Sequence, residues 1–371
     1  AARLAALGLA LATPYATYAG LFFGHALAAA LGTLALLAAD RGRFLLGGLA
    51  GGAMVLVDTA TAPWAALLGL YGAVVHRRWQ AAAWCALGGA PFVAAQLAYN
   101  QALFGSPFTF AYAFKAVPEF KAIHEQGLYG FGWPGLQALG GILISPSRGL
   151  FFFGPALAFG AWGLWQRPRG RWLLLAVALF TGWIAGFNGW HAGECYGPRH
   201  LLPAAPALAV GLGEAVHRLQ GRPAFALRAG LVWGVGATWL VAATWPYAPE
   251  GFHFPLAQLA WPLLVGGHHS ATLLGHAAWA AGVPLALALT LLVRADAQRP
   301  RWLSAGALAV ALALGLGALT PPPPTPVEAR RARIICLMGD RAAGRAHCVA
   351  IGGQPVPGRC LCGPPARTGI R

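Results

Sequence analysis

The chain has 371 residues, of which 58% are hydrophobic and 10% are charged, and its mean hydropathy is +0.59. A soluble globule of this size needs more polar side chains than that to cover its surface, so the composition excludes an ordinary soluble protein. A net charge of +16 would suggest nucleic-acid binding in a soluble chain. Here the basic residues lie beside apolar runs and in the C-terminal tail, which indicates membrane topology and contact with anionic lipids. No nucleic-acid partner is predicted.

The arginine residues alternate between the gaps that separate successive apolar runs. Five gaps hold thirteen of the 26 Lys and Arg residues: Arg41 and Arg43; Arg77 and Arg78; Arg167, Arg169 and Arg171; Arg218, Arg222 and Arg228; Arg294, Arg299 and Arg301. The gaps between them hold four, which are Lys115, Lys121, Arg148 and Arg199. The positive-inside rule produces such alternation when a chain crosses a membrane repeatedly. We therefore predict a multi-pass protein with cytoplasmic arginine-rich loops and with the other loops and the tail outside.

The apolar runs have the length of membrane helices, which need roughly 17 to 25 residues. They occupy residues 16–38, 80–100, 149–165, 171–187, 201–217, 229–246, 272–293 and 303–319. Shorter runs cover 2–12, 44–57 and 62–75. In lipid only helices and closed barrels satisfy their backbone hydrogen bonds, and long continuous apolar runs exclude the alternating pattern of a barrel. The predicted fold is all-α, a transmembrane helical bundle of about 10 to 11 hydrophobic segments.

The sequence divides into a membrane domain, residues 1–320, and a tail, residues 321–371. Within the membrane domain, the outer loops are 100–148, 188–200 and 247–271. The tail begins with four prolines and becomes rich in Pro, Arg and Gly, so we expect it to be poorly ordered. Its cysteines, Cys336, Cys348, Cys360 and Cys362, are not spaced like zinc ligands, which favours two disulfides or unpaired thiols over a metal site.

Arg148 and Arg199 are the only arginines of their predicted outer loops, and each stands at the start of a predicted helix. A guanidinium there, beside free backbone N–H groups and the positive end of a helix dipole, suits a phosphate or pyrophosphate. The alternative is that these arginines reach lipid headgroups or pair with Glu194 or Glu125. With their neighbours they form the candidate substrate-binding set: Asn100, Ser147, Arg148, Tyr196, Arg199 and His200.

Three side chains are candidates for catalysis: Glu194, Asp58 and His191. Glu194 could act as a general base, although holding Arg199 in position is the favoured role. Asp58 lies between two short apolar runs, where it is either a functional carboxylate at the membrane or the N-cap of the helix that follows. His25 falls within a predicted span, so we expect it to pack or to make an interhelical hydrogen bond rather than to belong to a site.

Four stretches carry a resemblance to a known family. They are residues 12–29, where Ala-Thr-Pro-Tyr leads into Phe-Phe-Gly-His; Tyr99-Asn100 followed by Phe104-Gly105-Ser106-Pro107; residues 145–151, Ser-Pro-Ser-Arg-Gly-Leu-Phe; and residues 196–203, Tyr-Gly-Pro-Arg-His-Leu-Leu-Pro. Over residues 1–245 the chain resembles the GT-C superfamily of polytopic membrane glycosyltransferases, and within it the protein mannosyltransferases and the lipid A aminoarabinose transferases.

The resemblance implies an inverting transfer of a sugar from a polyprenyl-phosphate donor at the outer face of the bacterial cytoplasmic membrane. It assigns Arg148 and Arg199 to the lipid-linked phosphate, with Ser147, Tyr196 and His200 as neighbours. The family's catalytic acid lies in the first outer loop, whereas no acidic residue of this chain precedes Asp40. We therefore expect that an N-terminal segment of the natural protein lies upstream or is supplied by a partner.

The expected partners are thus a lipid-linked sugar and membrane lipids. No cofactor is assigned, although a divalent metal stays open. Two other classes of function also stay open, namely a non-catalytic membrane subunit and a transporter of lipids or solutes. The transporter is disfavoured because the sequence shows no inverted repeat and few charges inside the spans.

Overall fold

The computed structural model describes residues 1–116, 118–270, 278–296 and 302–363. Within these residues the chain is nearly all α-helical. The helices are α1 (Ala2–Leu11), α2 (Tyr15–Ala19), α3 (His25–Asp40), α4 (Phe44–Val57), α5 (Ala62–His76), α6 (Gln80–Phe104), α7 (Pro118–Glu125), α8 (Leu136–Ile144), α9 (Leu150–Phe153), α10 (Ala156–Trp165), α11 (Pro168–Ala185), α12 (Ala205–Arg218), α13 (Gly221–Ala243), α14 (Trp261–Val265), α15 (Ala278–Ala295), α16 (Trp302–Leu319), α17 (Thr325–Leu337) and α18 (Arg341–Ala350).

The remaining regular structure is short. Short 3-10 helices cover Thr59–Thr61, Ala111–Phe114 and Arg199–Ala204, and a single π-helical turn covers Leu256–Ala260. Strands β1 (Gln354–Pro355) and β2 (Cys362–Gly363) pair antiparallel, with Gln354 opposite Gly363.

Among the residues that the structure describes, three helices are long and apolar enough to cross a membrane: α6, α13 and α16. Several shorter helices are also apolar, among them α1, α3, α4 and α10. Many large hydrophobic side chains are exposed along these helices, for example Leu312 and Leu314 on α16. Exposed apolar surface on this scale is what lipid covers in a membrane protein. The chain is an integral membrane protein with a helical fold.

Three predicted spans are interrupted near the ends that the predicted topology puts outside. Residues 16–38 divide into α2 and α3, and the break at residues 20–24 contains two glycines. Residues 149–165 divide into α9 and α10 at Gly154-Pro155, because the residue before a proline is disfavoured in a helix. Residues 201–217 start as a 3-10 helix before α12. Residues 272–277 of the span 272–293 lie outside the described residues. The interruptions bring polar side chains to one end of the bundle.

Small residues allow the helices to approach closely, as is usual in membranes. A Cβ added at Gly48 of α4 would overlap the backbone of Cys85 in α6. A Cβ added at Gly163 of α10 would likewise overlap the backbone of Gly211 in α12. The largest core cluster, which includes Trp64, lies among α3, α5, α11 and α12. This rigid packing supports the irregular outer ends.

A buried ion pair joins the last membrane helices. Arg228 of α13 donates to both carboxylate oxygens of Asp296, at 2.6 and 3.2 Å, and the indole of Trp302 donates to the same carboxylate at 2.9 Å. Both charged side chains are 4% exposed. Arg228 had been grouped with the cytoplasmic arginines, but the structure buries it in a bidentate pair that connects α13, the end of α15 and the start of α16.

The tail differs from the poorly ordered extension that its composition predicts. Helices α17 and α18 form a hairpin, and disulfides join Cys336 to Cys360 and Cys348 to Cys362. The side chains of Ile334 and Ile335 are buried against the end of the bundle. These apolar residues were hidden among arginines, so the periodic pattern was too short to predict a helix. Residues 364–371 lie outside the described part of the chain.

Candidate functional site

The break between α2 and α3 places His25 at the first turn of α3, where it meets the junction between α4 and α5. There His25 Nδ1 lies 2.9 Å from Asp58 Oδ2. An ionised carboxylate only accepts hydrogen bonds, so the Nδ1–H of the imidazole is the donor. The two side chains are 11% and 12% exposed. The pair is a carboxylate that orients an imidazole.

Asp58 makes two contacts through its two carboxylate oxygens, and one of them is a helix-capping contact of the kind that the sequence had offered as an alternative. Its Oδ1 accepts from the backbone N–H of Ala60 and so caps the short 3-10 helix, while Oδ2 accepts from His25. Burial raises the pKa of Asp58, but the hydrogen bond from His25 and the nearby imidazoles of His25 and His200 outweigh that effect and lower it overall. The carboxylate is therefore ionised at neutral pH.

Arg199 and His200 begin the 3-10 helix that precedes α12, and both face the same space as His25. The guanidinium of Arg199 lies over the ring of Phe23, 4.5 Å from its centroid. Its Nε is buried, and among the described residues it has no hydrogen-bond acceptor. The His200 ring stands edge-on to His25 at 5.1 Å. Burial, followed by the charges of His25 and Arg199, lowers the pKa of His200 to about 3, so this ring is neutral at pH 7.

The outer loop between α6 and α8 brings a second cation. Lys115 Nζ lies 3.1 Å from His124 Nε2 and 5.1 Å from the centroid of the Tyr112 ring. Burial and the positive charge of Arg199 lower the pKa of Lys115. Lys115 and Arg199 line the same cavity, and like charges held in one cavity favour an anion between them.

Backbone hydrogen bonds tie this loop to the end of α11. The N–H of Gly132 donates to the Gly186 carbonyl at 2.7 Å, and the N–H of Asn188 donates to the Gly130 carbonyl at 2.8 Å. Phe131 stacks between Trp183, at 4.2 Å, and Phe187, at 4.7 Å. The loop is thus fixed against the helix bundle and forms an aromatic wall.

These elements enclose a cavity of about 900 Å³, which we call the outer cavity. Its size is that of a small-molecule site. Aromatic and polar side chains both line it: Phe23, His25, Asp58, Phe110, Tyr112, Lys115, His124, Tyr129, Phe131, Trp183, Phe187, His191, Glu194, Arg199, His200 and Tyr247. Five of the predicted site residues, Asp58, His191, Glu194, Arg199 and His200, therefore come together here, although they were predicted from separate loops.

Arg148 lies outside the lining of the outer cavity. It is 5% exposed, and its guanidinium donates to backbone carbonyls: those of His191 and Gly193 at 2.8 Å each, of Ser147 at 3.2 Å, of Ala248 at 3.5 Å, and of Cys195. The structure therefore corrects the expectation that this guanidinium faces a phosphate, because its N–H groups are directed at the carbonyls of the chain itself. It holds the loop that carries His191 in the cavity wall.

Three further members of the predicted binding set also lie outside the cavity lining. Asn100 accepts from Gln96 and donates to the Pro107 carbonyl, which closes the turn after α6. Ser147 presents its hydroxyl to Ser145 at 3.3 Å. Tyr196 is 2% exposed, and its hydroxyl has no hydrogen-bond partner among the described residues. None of these three side chains lines the outer cavity.

Glu194 and His191 line the outer cavity. Within the described residues, Arg199, the partner that was expected for Glu194, is not paired with it. Glu194 is exposed, and the described ion pairs do not join it to Arg199. His191 Nδ1 instead lies 3.0 Å from Glu250, a residue of the following outer loop. The expectation that Glu194 holds Arg199 in position is thus corrected, since Arg199 lies over Phe23.

Sequence reasoning missed His25, Lys115 and His124 as members of one site. His25 was missed because the apolar run 16–38 was read as one helix, which would bury it in mid-span. The glycines at positions 20 and 24, on either side of Leu-Phe-Phe, were the available indication of a break. Within the described residues, no group of three His, Cys, Asp or Glu side chains is arranged to hold a metal ion.

Comparison with known proteins gives limited information. No family model matches the chain, and no solved structure does. One similar protein is transmembrane protein 14C of Rattus norvegicus, which is 37% identical over 95 residues; the match covers 24% of this chain and 81% of that protein. Its name agrees with the membrane location that the apolar helices indicate. Over the matched quarter of its length, the chain belongs to the family of transmembrane protein 14C.

Proposed function

We propose that the chain is a glycosyltransferase of the bacterial cytoplasmic membrane, GT-C-like in fold, which transfers a sugar from a polyprenyl-phosphate donor at its outer face. One observation carries the proposal: a single cavity holds a carboxylate–imidazole pair, Asp58 and His25, together with two neighbouring cations, Arg199 and Lys115. A transfer from a phosphate leaving group to a hydroxyl acceptor needs both a proton acceptor and fixed positive charge.

In the proposed reaction the acceptor oxygen attacks the anomeric carbon of the sugar. The proton of the acceptor hydroxyl passes to Nε2 of His25, and Asp58 stabilises the imidazolium that forms. The bond between the anomeric carbon and the phosphate oxygen breaks, and its electron pair leaves with the polyprenyl phosphate. Arg199 and Lys115 stabilise the negative charge on that leaving group. Attack from the side opposite the phosphate inverts the anomeric configuration.

The walls of the outer cavity suit the other parts of such a donor. Phe131, Trp183 and Phe187 offer apolar faces for a sugar ring and for the first isoprene unit. The low pKa of His200 keeps a neutral ring between His25 and Phe187, so that this part of the wall adds no positive charge. The cations are thus restricted to the side where the phosphate is proposed to bind.

The test is transfer of a radiolabelled sugar from polyprenyl-phosphate donors by the full chain in nanodiscs. A general base contributes roughly 100-fold to 10,000-fold, so we expect Asp58→Asn and His25→Ala each to lower the rate at least 100-fold. Glu125→Gln is a matched control, because Glu125 is an exposed carboxylate paired with Lys121 outside the cavity lining. Unchanged transfer by Asp58→Asn would remove the proposed base. Donor binding without transfer by the wild-type chain would favour a non-catalytic role.

A further inference from the structure

Two cavities adjoin on the side of the bundle where the tail hairpin packs. The polar cavity, of about 450 Å³, is lined by Gln258, by the turn after α16 and by Glu328 and Arg331 of α17. The apolar cavity, of about 650 Å³, lies between α13, α15 and α16. Ala257 and Gly317 line both cavities, so the two lie side by side. Neither residue lines the outer cavity, so this is a separate place in the fold.

Glu328 has an oxygen without a partner. The side chain is buried, and its Oε1 accepts from Arg331 and lies 2.9 Å from His347 Nε2. Its Oε2 is also buried, and in the part of the chain that the structure describes it has no hydrogen-bond partner. Leaving a buried carboxylate oxygen unpaired is costly. A donor from a ligand, preferably a cationic one, would satisfy it.

Arg331 supplies the opposite charge on the same wall. Its guanidinium donates to Glu328, to the Gln258 carbonyl at 3.2 Å and to His347 at 3.4 Å. An arginine has five N–H groups, so N–H groups are left for an acceptor such as a phosphate oxygen. Burial, followed by the charges of Arg331 and His268, lowers the pKa of His347. The wall therefore carries one negative and one positive group, and it complements a headgroup with both signs.

The apolar cavity has the length and lining for a hydrocarbon chain. On α16 it is lined by residues 309, 310, 313, 314, 317 and 318, which form one face of the helix. Nine residues of helix rise about 13 Å, enough for most of an acyl chain. The lining from the other helices is also apolar and includes Trp233, Leu240 and Leu289. The polar cavity lies at the C-terminal end of α16, where our topology puts the outer headgroup layer.

We propose that the two cavities together bind one phospholipid whose headgroup carries an ammonium group beyond its phosphate. The ammonium pairs with the carboxylate of Glu328, the phosphate accepts from Arg331, and one acyl chain fills the apolar cavity. The suited headgroup is that of phosphatidylethanolamine, because its two charges match the two charges on the wall. The bound lipid would connect α17 to α13 and α16.

The test is native mass spectrometry of the full chain in detergent, with phosphatidylethanolamine and phosphatidylglycerol of identical acyl chains as competing probes. We expect the wild type to retain phosphatidylethanolamine in preference to phosphatidylglycerol. A charge-assisted hydrogen bond is worth roughly tenfold or more in affinity, so Glu328→Gln should remove the preference. Equal retention of the two lipids by the wild type, or an unchanged preference in Glu328→Gln, would overturn the proposal.

A second pair of variants tests the apolar cavity without touching the charges. A Cβ added at Gly317 or Gly315 of α16 meets nothing within 4 Å, so neither position opposes a larger side chain. Gly317 lines the cavity and Gly315 does not. We expect Gly317→Leu to lose the bound lipid and Gly315→Leu to keep it. Equal lipid retention by these two variants would contradict the assigned place of the acyl chain, even if Glu328→Gln failed to fold.

Discussion

Arg148 and Arg199 look alike in sequence, yet the structure places them in opposite situations. Each is a lone arginine at the start of a predicted helix in an outer loop. Arg148 is surrounded by carbonyl oxygens and donates to five of them. Arg199 lies over an aromatic ring, and its buried Nε has no acceptor within the described residues. A guanidinium that donates its hydrogen bonds to the protein itself stabilises the fold. A guanidinium beside a cavity whose N–H lacks an acceptor is available to a ligand.

The difference shows what decides the role of a buried charge. Burying an ionised group is costly, and internal hydrogen bonds can offset that cost completely, as they do for Arg148. Where the protein supplies few partners, the group keeps affinity for an external anion. The Arg228–Asp296 pair is a second example of internal compensation, like Arg148. The guanidinium of Arg228 donates hydrogen bonds to both carboxylate oxygens of Asp296.

The largest expected effect is on stability, from Arg148→Ala. The substitution leaves at least three buried carbonyls unpaired, and each costs about 1 kcal/mol or more, so the loss should be about 3 kcal/mol or more. For a chain of this size that is about 4 °C or more in the midpoint of thermal unfolding. The measurement is a thermal melt in detergent. Arg171→Ala is the control, because Arg171 donates to one carbonyl at an exposed position. A melt of Arg148→Ala that matches this control would contradict the structural role.

Arg199 should show the reverse pattern. Because its buried Nε has no hydrogen-bond acceptor among the described residues, Arg199→Ala should melt within a few degrees of the wild type. Its loss should weaken binding of polyprenyl phosphate by roughly tenfold to 150-fold. Arg199→Lys should bind between the two, since Lys keeps the charge and lacks the planar fork. Binding is measured in nanodiscs, with Lys121→Met as a control cation from the same side of the protein. Equal affinity in all variants would remove Arg199 from the site.

A further effect, which is gradual because it is spread over several pH units, is a pH dependence of stability that belongs to His200. The folded pKa of about 3 lies below the unfolded value of about 6.5, so between these values the unfolded chain binds the extra proton. The contribution of His200 to the free energy of unfolding is therefore fully present above pH 6.5 and is lost as the pH is lowered toward 3. The slope is at most about 1.4 kcal/mol per pH unit. His200→Phe should melt with a shallower pH dependence than the wild type, whereas the exposed His217→Phe should not. Parallel curves for wild type and His200→Phe would refute this origin.

The positions of the apolar helices could be predicted well because their runs are long. Residues 80–100 and 303–319 correspond to α6 and α16 within a few positions, since continuous apolar sequence leaves a membrane helix little alternative. The irregular breaks were not predicted, because they depend on glycines and prolines whose effect is decided by neighbouring helices. Asp58 could be named as a candidate from its place between two apolar runs. Its pairing with His25 depends on the break before α3, and local sequence could not show it.

The contacts of the tail hairpin tie the last part of the chain to the middle. Arg330 donates to the backbone carbonyl of Glu250, whose carboxylate lies 3.0 Å from His191 in the wall of the outer cavity. Val327 lies against Gly251 in the same loop. During synthesis α17 emerges only after α16. The loop that carries Glu250 therefore gains its contacts with α17 only after α16 has been made. A ribosome that stalls before α17 therefore leaves a bundle whose outer cavity lacks this support.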